Sequence, residues 1–537
     1  MHGSFFGLGI AARGLTAAQR NLDVLSHNIS NVNTPGYTRQ QAVQTASQPL
    51  ISFDGTGMIG TGSQVSEVIR VRDEYLDYKF WSESVFQGEW DIKRQLLSEL
   101  EAAFNEPSDG GFSKVLDEYF SALQELSKDP SAPATRALVK EKGISVARYF
   151  NNLAYRLEKM QHDVNQNVYI KVEEINSLAS QISKLNQQIY VMEVDGNNAN
   201  DLRDRRELLV DKLSKIVNIE AYEIVRGKLP SGKDDKYFVV SIGGKPIVNH
   251  FELSELKVHP RDEKLNAEDI NNLFEIKWAD GSSINITGGE LKGYLDVRDG
   301  NSGLNDSPLF KGIPHYINKL NTFVRTFAMA LNEGYCDNNA NGIIEPDEDL
   351  LGHADGFWLD SVEGELPSGI RFFTMLDRDG NPMDSMSFMG SATTIDEIVS
   401  RYDGITAKNF SVSADVLDNI SKISTSVNAG EKGNAKIIEQ MLKMRSNTHM
   451  FSEGNPEDYM KSLIATLGVD SQQAVKYSDN QNSIIKMIQN RRMSVSGVSV
   501  DEEMANMIKF QHAYSAAAKI INTYMELYDI LINRVGL

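Results

Sequence analysis

Residues 15–38 read LTAAQRNLDVLSHNISNVNTPGYT and contain both an amphipathic helix and the turn that ends it. Apolar residues recur here at alternating intervals of three and four, which places them in one narrow stripe along a helix. The helix is expected to end between Asn31 and Tyr37, because proline disfavours helical geometry in the preceding residue and Pro-Gly favours a turn. The stripe comprises Leu8, Ala11, Leu15, Ala18, Leu22, Leu25, Ile29 and Val32.

A second stripe lies near the other end of the chain. Ser499 and Glu502 have the spacing of a capping box, in which each side chain bonds a backbone amide at the start of a helix. After this start, two rows of mostly apolar residues recur at intervals of seven over about five heptads. One row comprises Val500, Met507, Tyr514, Ile521, Tyr528 and Val535, and the other comprises Met504, Gln511, Ala518, Met525 and Ile532. Either stripe alone fits an ordinary amphipathic helix, but two such stripes favour pairing with each other or with neighbouring subunits.

The stretch between Pro133 and Asp195 predicts one helix of roughly 90 Å, interrupted only by Gly143. Its apolar stripe runs from Val146 to Met192. A helix of this length indicates an architectural element, since a compact enzyme domain does not need it. Shorter helices are predicted at about 84–105, 112–128, 203–216, 314–334, 413–428, 434–445 and 456–490.

The apolar period changes to two between about residues 217 and 310, which predicts a β-rich module with turns at Gly243-Gly244 and Asp280-Gly281. We therefore expect a multidomain, mainly α chain with a β-rich insertion, in which terminal coiled-coil helices join a long-helix bundle domain. The predicted terminal domain comprises 1–62 and 482–537. The helical core domain comprises 63–335 and 409–481, and 336–408 form a small inserted outer domain.

Composition excludes several classes of function. The 537 residues carry 74 acidic and 54 basic side chains, and this net charge of -20 repels nucleic acid and anionic lipid headgroups. No apolar run is long enough to insert in a membrane, and a cleavable leader is not expected. The single cysteine, Cys336, excludes an intrachain disulfide framework. Export without a cleaved signal and residence in the cytosol both remain open at this point.

Two motifs suggest ligand chemistry. Residues 55–60 satisfy the dinucleotide pattern G-x-G-x-x-G, but extended alternation follows where that fold requires a helix, so we reject a nucleotide site. Residues 337–348 meet the full D-x-[DN]-x-[DN]-G-x5-E pattern of a calcium loop. The expected calcium ligands are Asp337, Asn339, Asn341, Ile343, Glu345 and Glu348. An acidic surface turn is the alternative, and Pro346 prevents a conventional helix at the end of the loop. The sequence contains no common catalytic motif, so we predict that the chain is not an enzyme and requires no cofactor.

Both ends carry a resemblance to one family. Residues 15–38 resemble the N-terminal signature of flagellar rod, hook and hook-associated proteins, and residues 494–503 with 510–519 resemble the matching C-terminal signature. The long helix, followed by NDLRDRRELLVDKLS at 200–214 and a β module, is similar to the hook-associated members that join hook to filament. The resemblance covers roughly 1–335 and 410–537. The alternatives are another axial subunit, from the hook or distal rod, and an exported enzyme or adhesin carried on flagellar ends.

The resemblance implies an extracellular structural adaptor of the bacterial flagellum, exported unfolded through the type III channel and assembled at the hook tip. It implies as partners other copies of the chain, hook protein, a second hook-filament junction protein and an export chaperone. Terminal helices of such proteins pair in a tubular inner layer. The residues expected in this assembly interface are Leu8, Leu15, Leu22, Ile29, Met507, Tyr514, Ile521, Met525, Tyr528 and Ile532.

Overall fold

The structure, a computed structural model, describes residues 5–51, 57–104, 111–336, 345–346 and 350–533, with the backbone alone at 345, 346 and 533. Helices dominate these residues. They are α1 (Phe6–Ser30), α2 (Glu74–Phe104), α3 (Phe112–Lys128), α4 (Pro133–Val194), α5 (Asn200–Ile216), α6 (Glu290–Asp299), α7 (Ile313–Glu333), α8 (Ser385–Met389), α9 (Ile395–Tyr402), α10 (Ala414–Asp418), α11 (Lys436–Met444), α12 (Pro456–Ser496) and α13 (Val500–Asn533). Within the described ranges, no helix is both long and apolar enough to cross a membrane.

Short antiparallel sheets connect the helices. The strands are β1 (Gln40–Ala46), β2 (Leu50–Ile51), β3 (Met58–Ile59), β4 (Ser63–Arg70), β5 (Ile219–Lys228), β6 (Asp234–Ile242), β7 (Lys245–Asn249), β8 (Glu252–Leu253), β9 (Leu256–Pro260), β10 (Phe274–Trp278), β11 (Tyr335–Cys336), β12 (Glu345–Pro346), β13 (Phe373–Met375) and β14 (Phe410–Val412). β1 pairs with β4, and β5 to β8 form one sheet in sequence order. The mainly α, multidomain fold with a β-rich insertion is thus confirmed.

Both terminal helices form where the stripes predict them. Val500 begins α13 directly after Ser499, whose Oγ accepts a long hydrogen bond of 3.5 Å from the Glu502 amide. The predicted capping box is only half formed, because the Glu502 carboxylate instead pairs with Arg39 at 3.1 Å. This ion pair joins the start of α13 to the segment that follows α1.

The long helix α4 spans 62 residues and is the axis of the helical domain. It runs unbroken through Gly143, where an added Cβ would lie 2.6 Å from the ring of Phe372. The absence of a side chain at Gly143 therefore allows a close aromatic contact. α2 and α12 pack alongside as an antiparallel pair, as shown by the contacts of Asp77 with Arg492 and of Asp91 with Ser478.

Stacked aromatic rings fill the core around α4 and α7. Phe150 on α4 and Phe323 on α7 are both fully buried and stack at 5.1 Å, and Phe323 also stacks on Phe451 at 5.0 Å. Phe372 and Phe373, from the segment predicted as an outer domain, share this core with Tyr119. The aromatic core thus includes residues from both the predicted core domain and the predicted insertion.

Two local predictions are wrong. Residues 290–299, within the predicted β module, are helical as α6. The helix predicted over 413–428 is only α10 and a 3-10 turn at 420–422. The chain leaves helical geometry there because the buried Arg136 guanidinium binds the carbonyl oxygens of Ile420, Ser421 and Ile423.

Candidate assembly interface and its anchor

The terminal helices α1 and α13 pair with each other within the chain and run antiparallel. Phe5 contacts Tyr528 with ring centroids 5.0 Å apart, while Asn28 at the other end of α1 bonds Glu503. Gly7 faces the ring of Tyr524 so closely that an added Cβ would lie 2.3 Å from it. This contact explains why a glycine occupies the first turn of α1.

The predicted stripe on α1 is rotated toward its small residues. Leu8, Leu15, Leu22 and Ile29 are half-buried, whereas the buried side chains of α1 are Ala11, Ala17, Ala18, Asn21, Leu25 and Asn28. The β1–β4 sheet is a second neighbour of α1. Arg13 Nη1 donates to the carbonyl of Thr61 at 3.0 Å, and an added Cβ at Gly62 would lie 3.4 Å from the carbonyl oxygen of Ile10. α1 is therefore covered from two sides, and the predicted leucines lie at the margins of its buried surface.

On α13, one predicted row faces α1 and the other does not. Met507, Ile521 and Tyr528 are half-buried, and Tyr514 is 37% exposed. Met525 and Ile532 are 58% and 63% exposed. The second row that faces α1 is displaced by one residue from the predicted row and comprises Glu503, Phe510, Ala517 and Tyr524. The bond between Asn28 and Glu503 fixes this rotation of α13, a polar constraint that apolar periodicity does not reveal.

A large part of α13 stays uncovered by the chain itself. We call these side chains the open apolar surface of α13; each is at least 42% exposed. They are Val500, Met504, Ile508, Ile520, Met525, Leu527, Ile530, Leu531 and Ile532. Monomeric proteins rarely expose apolar area of this extent, so this surface indicates contact with a partner.

Asn28 ties the terminal pair to the strand that follows it. Its fully buried amide donates to the Gln40 carbonyl and to Glu503 Oε2, both at 2.9 Å. Its oxygen accepts from the Gln40 amide at 3.0 Å and from the Tyr37 hydroxyl at 2.7 Å. Burial, followed by nearby carboxylates, raises the pKa of Tyr37, so this hydroxyl stays a donor. All the hydrogen-bonding capacity of the Asn28 amide is thus used to position α1, β1 and α13.

A second polar cluster attaches this terminal assembly to the helical domain. Asp204, Glu207 and Asp211 occupy one face of α5 and receive bonds from four other segments; we call this cluster the α5 joint. Asp204 accepts from the Thr38 amide at 2.9 Å, and both Asp204 and Glu207 accept from Arg70 at 2.8 Å. The remaining contacts are Arg72 to Glu207 at 2.6 Å, Trp81 Nε1 to Asp211 at 2.6 Å, and Arg492 to Asp211 at 3.0 Å.

Electrostatics affect the three acids of the joint differently: burial raises the pKa of Asp204 and of Asp211, whereas the pKa of Glu207 is lowered. Burial alone would raise the pKa of Glu207, but Arg72 and Arg70 outweigh it and hold that pKa at about 2. Removing one partner of such a buried pair leaves an uncompensated charge, which costs about 3–5 kcal/mol. Apolar periodicity does not predict a role for these acids, although their spacing of three and four residues places them on one helix face and could have signalled a contact.

The predicted calcium loop lies outside the described residues, apart from the backbone of Glu345 and Pro346. There Cys336 pairs with Glu345, and Tyr335 pairs with Pro346, in a two-residue antiparallel ladder. The ligand set named above therefore stays a prediction.

Comparison with known proteins agrees with this architecture. The model of the flagellar hook-associated protein FlgK helical domain matches residues 97–339. The model of the flagella basal body rod protein matches 8–38, and that of the flagellar basal body rod FlgEFG protein C-terminal region matches 489–534. The two rod-protein matches coincide with the terminal helices.

Full-length relatives and one solved structure extend these matches. Flagellar hook-associated protein 1 of Bacillus subtilis (strain 168) is 29% identical, with 100% of this chain and 99% of the relative covered. Its namesake from Salmonella typhimurium is 25% identical, with 97% and 98% covered. The flagellar hook junction protein FlgK from Burkholderia pseudomallei has a similar fold, with a TM-score of 0.51, 14% identity, and 78% of this chain and 100% of that chain covered.

Paired terminal helices, rod-protein matches at both ends and a helical domain between them define an axial protein of the flagellum. Within that class, the chain resembles flagellar hook-associated protein 1 over its full length, and its helical domain matches the FlgK family model. It is a structural component of the external flagellum.

Proposed function

We propose that this chain is a structural adaptor that assembles at the hook tip and joins the hook to the filament. The observation that carries the proposal is the open apolar surface of α13, held at a fixed position relative to the helical domain by the α5 joint. A surface that is open in the monomer and rigidly attached is suited to contact a neighbouring subunit in a defined orientation. The names of the full-length relatives support placing that contact at the hook-filament junction.

We infer the partners and the order of events from the family resemblance, with which the open apolar surface of α13 is consistent. Copies of the chain cover the apolar side chains of α13 in a ring or tube, with hook protein on one side and a second hook-filament junction protein on the other. Before export, a chaperone covers the apolar side chains of α13. The subunit then passes unfolded through the type III channel. Helices of this size gain most of their stability from packing, so the terminal pair is most stable after assembly.

We further propose that the role is structural and not catalytic. A cavity of about 700 Å³ lies between β4, α5 and β5, and its walls are rich in charged residues. Its arginines pair with its carboxylates, as Arg203 does with Glu193 and Glu223. The residues that line it include no Ser, Cys or His that could act as a nucleophile or base. This cavity is therefore better explained as a seam between elements than as an active site.

Electron microscopy of cells that lack the chain tests the adaptor role. We expect hooks of normal length without filaments, and flagellin released into the medium. Absent hooks would instead identify a rod or hook subunit, and normal filaments would contradict the proposal.

We also propose that residues 337–348 bind calcium outside the cell. Support comes from the complete ligand pattern and from the β11–β12 ladder, which pairs Cys336 with Glu345 and Tyr335 with Pro346. Glu348 would supply a bidentate carboxylate, and Ile343 its backbone carbonyl.

A further inference from the structure

A small internal cavity separates α5 from the β5–β8 sheet. Its volume is about 10 Å³, and its lining includes Arg206 of α5, Asp235 of β6 and His250, which follows β7. A cavity needs roughly 10–15 Å³ to hold one water molecule, and such a water typically makes about three hydrogen bonds. The size of the cavity therefore excludes an organic ligand but not a single water.

The polar atoms at this cavity have no hydrogen-bond partner among the described residues. They are Arg206 Nε, Asp235 Oδ1 and both ring nitrogens of His250, and all four are buried. Leaving a buried donor or acceptor unpaired costs about 1–3 kcal/mol. A shared partner in the cavity removes this penalty for several groups at once.

Packing prevents these groups from turning away to find other partners. The His250 ring stacks on Tyr237 at 4.0 Å and contacts Phe251 at 3.7 Å. The backbone at His250 has the unfavourable φ of 58°. Two hydrogen bonds hold it: the His250 amide donates to the Phe238 carbonyl at 3.0 Å, and the Asn186 side-chain amide donates to the His250 carbonyl at 2.8 Å. The Arg206 guanidinium lies 3.7 Å over the ring of Phe238 and donates to Glu223 at 2.9 Å.

We propose that this cavity is an internal hydration site that holds one water molecule. The water accepts a hydrogen bond from Arg206 Nε–H and donates to the Asp235 carboxylate and to a ring nitrogen of His250. The neutral imidazole supplies one acceptor nitrogen for this purpose. The bridge links the β module to α5, and through Arg206 and its neighbour Glu207 it adjoins the α5 joint.

A crystal structure of the full chain, at a resolution that shows ordered water, tests the proposal. We expect one density peak in the cavity, about 2.7–3.2 Å from each of the three groups. An empty cavity, or a direct bond from Arg206 Nε to Asp235, would overturn it.

A pair of variants tests the role of the histidine in solution. His250→Phe keeps the stacked ring but removes its nitrogens, so we expect a lower melting temperature, whereas His259→Phe, at an exposed site on β9, should cause no shift. Equal shifts in the two variants would contradict a site-specific role. If His250→Phe does not fold, Asp235→Asn replaces it, and the density peak in the unmodified chain still decides the proposal.

Discussion

The helical domain and the terminal helix pair are built from similar apolar stripes, but the chain buries them to different extents. On α4 the middle of the stripe is sealed: Val168, Val172 and Ile175 are fully buried. On α13 the half of the helix that faces away from α1 stays open, with Leu527 and Leu531 at 53% and 59% exposure. A stripe thus predicts that a surface will be covered, but not whether the same chain or a neighbour covers it.

The polar anchors show the reverse relation. The open terminal pair depends on Asn28 and the α5 joint for its position, while the rings around Phe323 pack on one another. Apolar contacts at α1 and α13 are narrow and tolerate several rotations, so a specific polar contact selects one of them. This selection is the device that lets an incompletely buried pair keep one geometry before assembly.

The largest expected effect on stability is in the sealed core. Phe323→Ala removes a fully buried ring that stacks on Phe150 and Phe451, so the free energy of unfolding should fall by about 3–5 kcal/mol. Urea unfolding followed by circular dichroism measures it. Phe86→Ala, at a ring 48% exposed on α2, is the matched control and should change little. Similar losses in both variants would show that the core is not the main source of stability.

Acid should weaken the same core through His353. Its Nε2 accepts from the Ser424 amide at 2.9 Å and its Nδ1–H donates to the Ile370 carbonyl at 2.6 Å, while burial lowers its pKa to about 4. Between pH 6.5 and 4 the unfolded chain binds a proton on this imidazole and the folded chain does not. Stability should therefore fall by about 3 kcal/mol over that range.

The pH dependence can be assigned with two variants. His353→Phe should reduce the loss between pH 6.5 and 4, and a part should remain because burial also lowers the pKa of His315 to about 4. His449→Phe, at an exposed position, should retain the full loss. Glu207 contributes in a separate window: its pKa is lowered to about 2, so its stabilisation is lost as the pH falls from about 4 toward 2. An unchanged profile in His353→Phe would contradict the assignment.

How far the sequence predicts this molecule depends on the scale of the feature. The length and start of α4, the turn after α1 and the β-rich insertion follow from periodicity, proline and glycine. The rotation of α13 does not, because it is set by Asn28 and Glu503, which are 475 residues apart in sequence. The broken helix after Asp418 was missed for a similar reason, since the guanidinium of the distant Arg136 binds its carbonyls. Long-range polar contacts were the information that the local pattern lacked.

Asn28→Leu should loosen the terminal pair while sparing the core. The substitution leaves Glu503 and the Tyr37 hydroxyl without their Asn28 bonds, a local loss of about 2 kcal/mol or more. Amide hydrogen exchange in α1 should accelerate roughly 30-fold, with rates in α4 unchanged. Asn33→Leu, at an exposed position beyond α1, is the control. Equal acceleration of amide exchange in α1 and α4 would show that the terminal pair and the helical domain unfold together.

Met525→Asp should separate assembly from folding. Met525 is 58% exposed, so the monomer should lose no more than about 0.5 kcal/mol. A carboxylate buried against a neighbour costs several kcal/mol, so filament attachment should fail. Secretion is scored separately, because the export chaperone is proposed to cover the same surface. Met525→Leu keeps an apolar side chain and should assemble. Ile521→Asp, on the face toward α1, should also speed exchange in α1. Normal filaments with Met525→Asp would place this residue outside the interface.

The smallest expected effect is that of calcium on the loop at 337–348. Only Asp337, Glu345 and Glu348 are charged among the predicted ligands, which favours the roughly millimolar affinity of extracellular calcium modules. At a calcium concentration equal to Kd, binding stabilises the folded chain by only about 0.4 kcal/mol, so a melting experiment would barely register it. Calorimetry is the better measurement, with Glu348→Gln as a variant that loses the bidentate ligand and should bind more weakly. If the unmodified chain shows no heat of binding at about 5 mM calcium, which is several times the expected Kd, the loop is an acidic turn and carries no ion. Because the loop begins directly after β11, binding in the unmodified chain would stiffen the link that follows this strand and leave the open apolar surface of α13 unchanged.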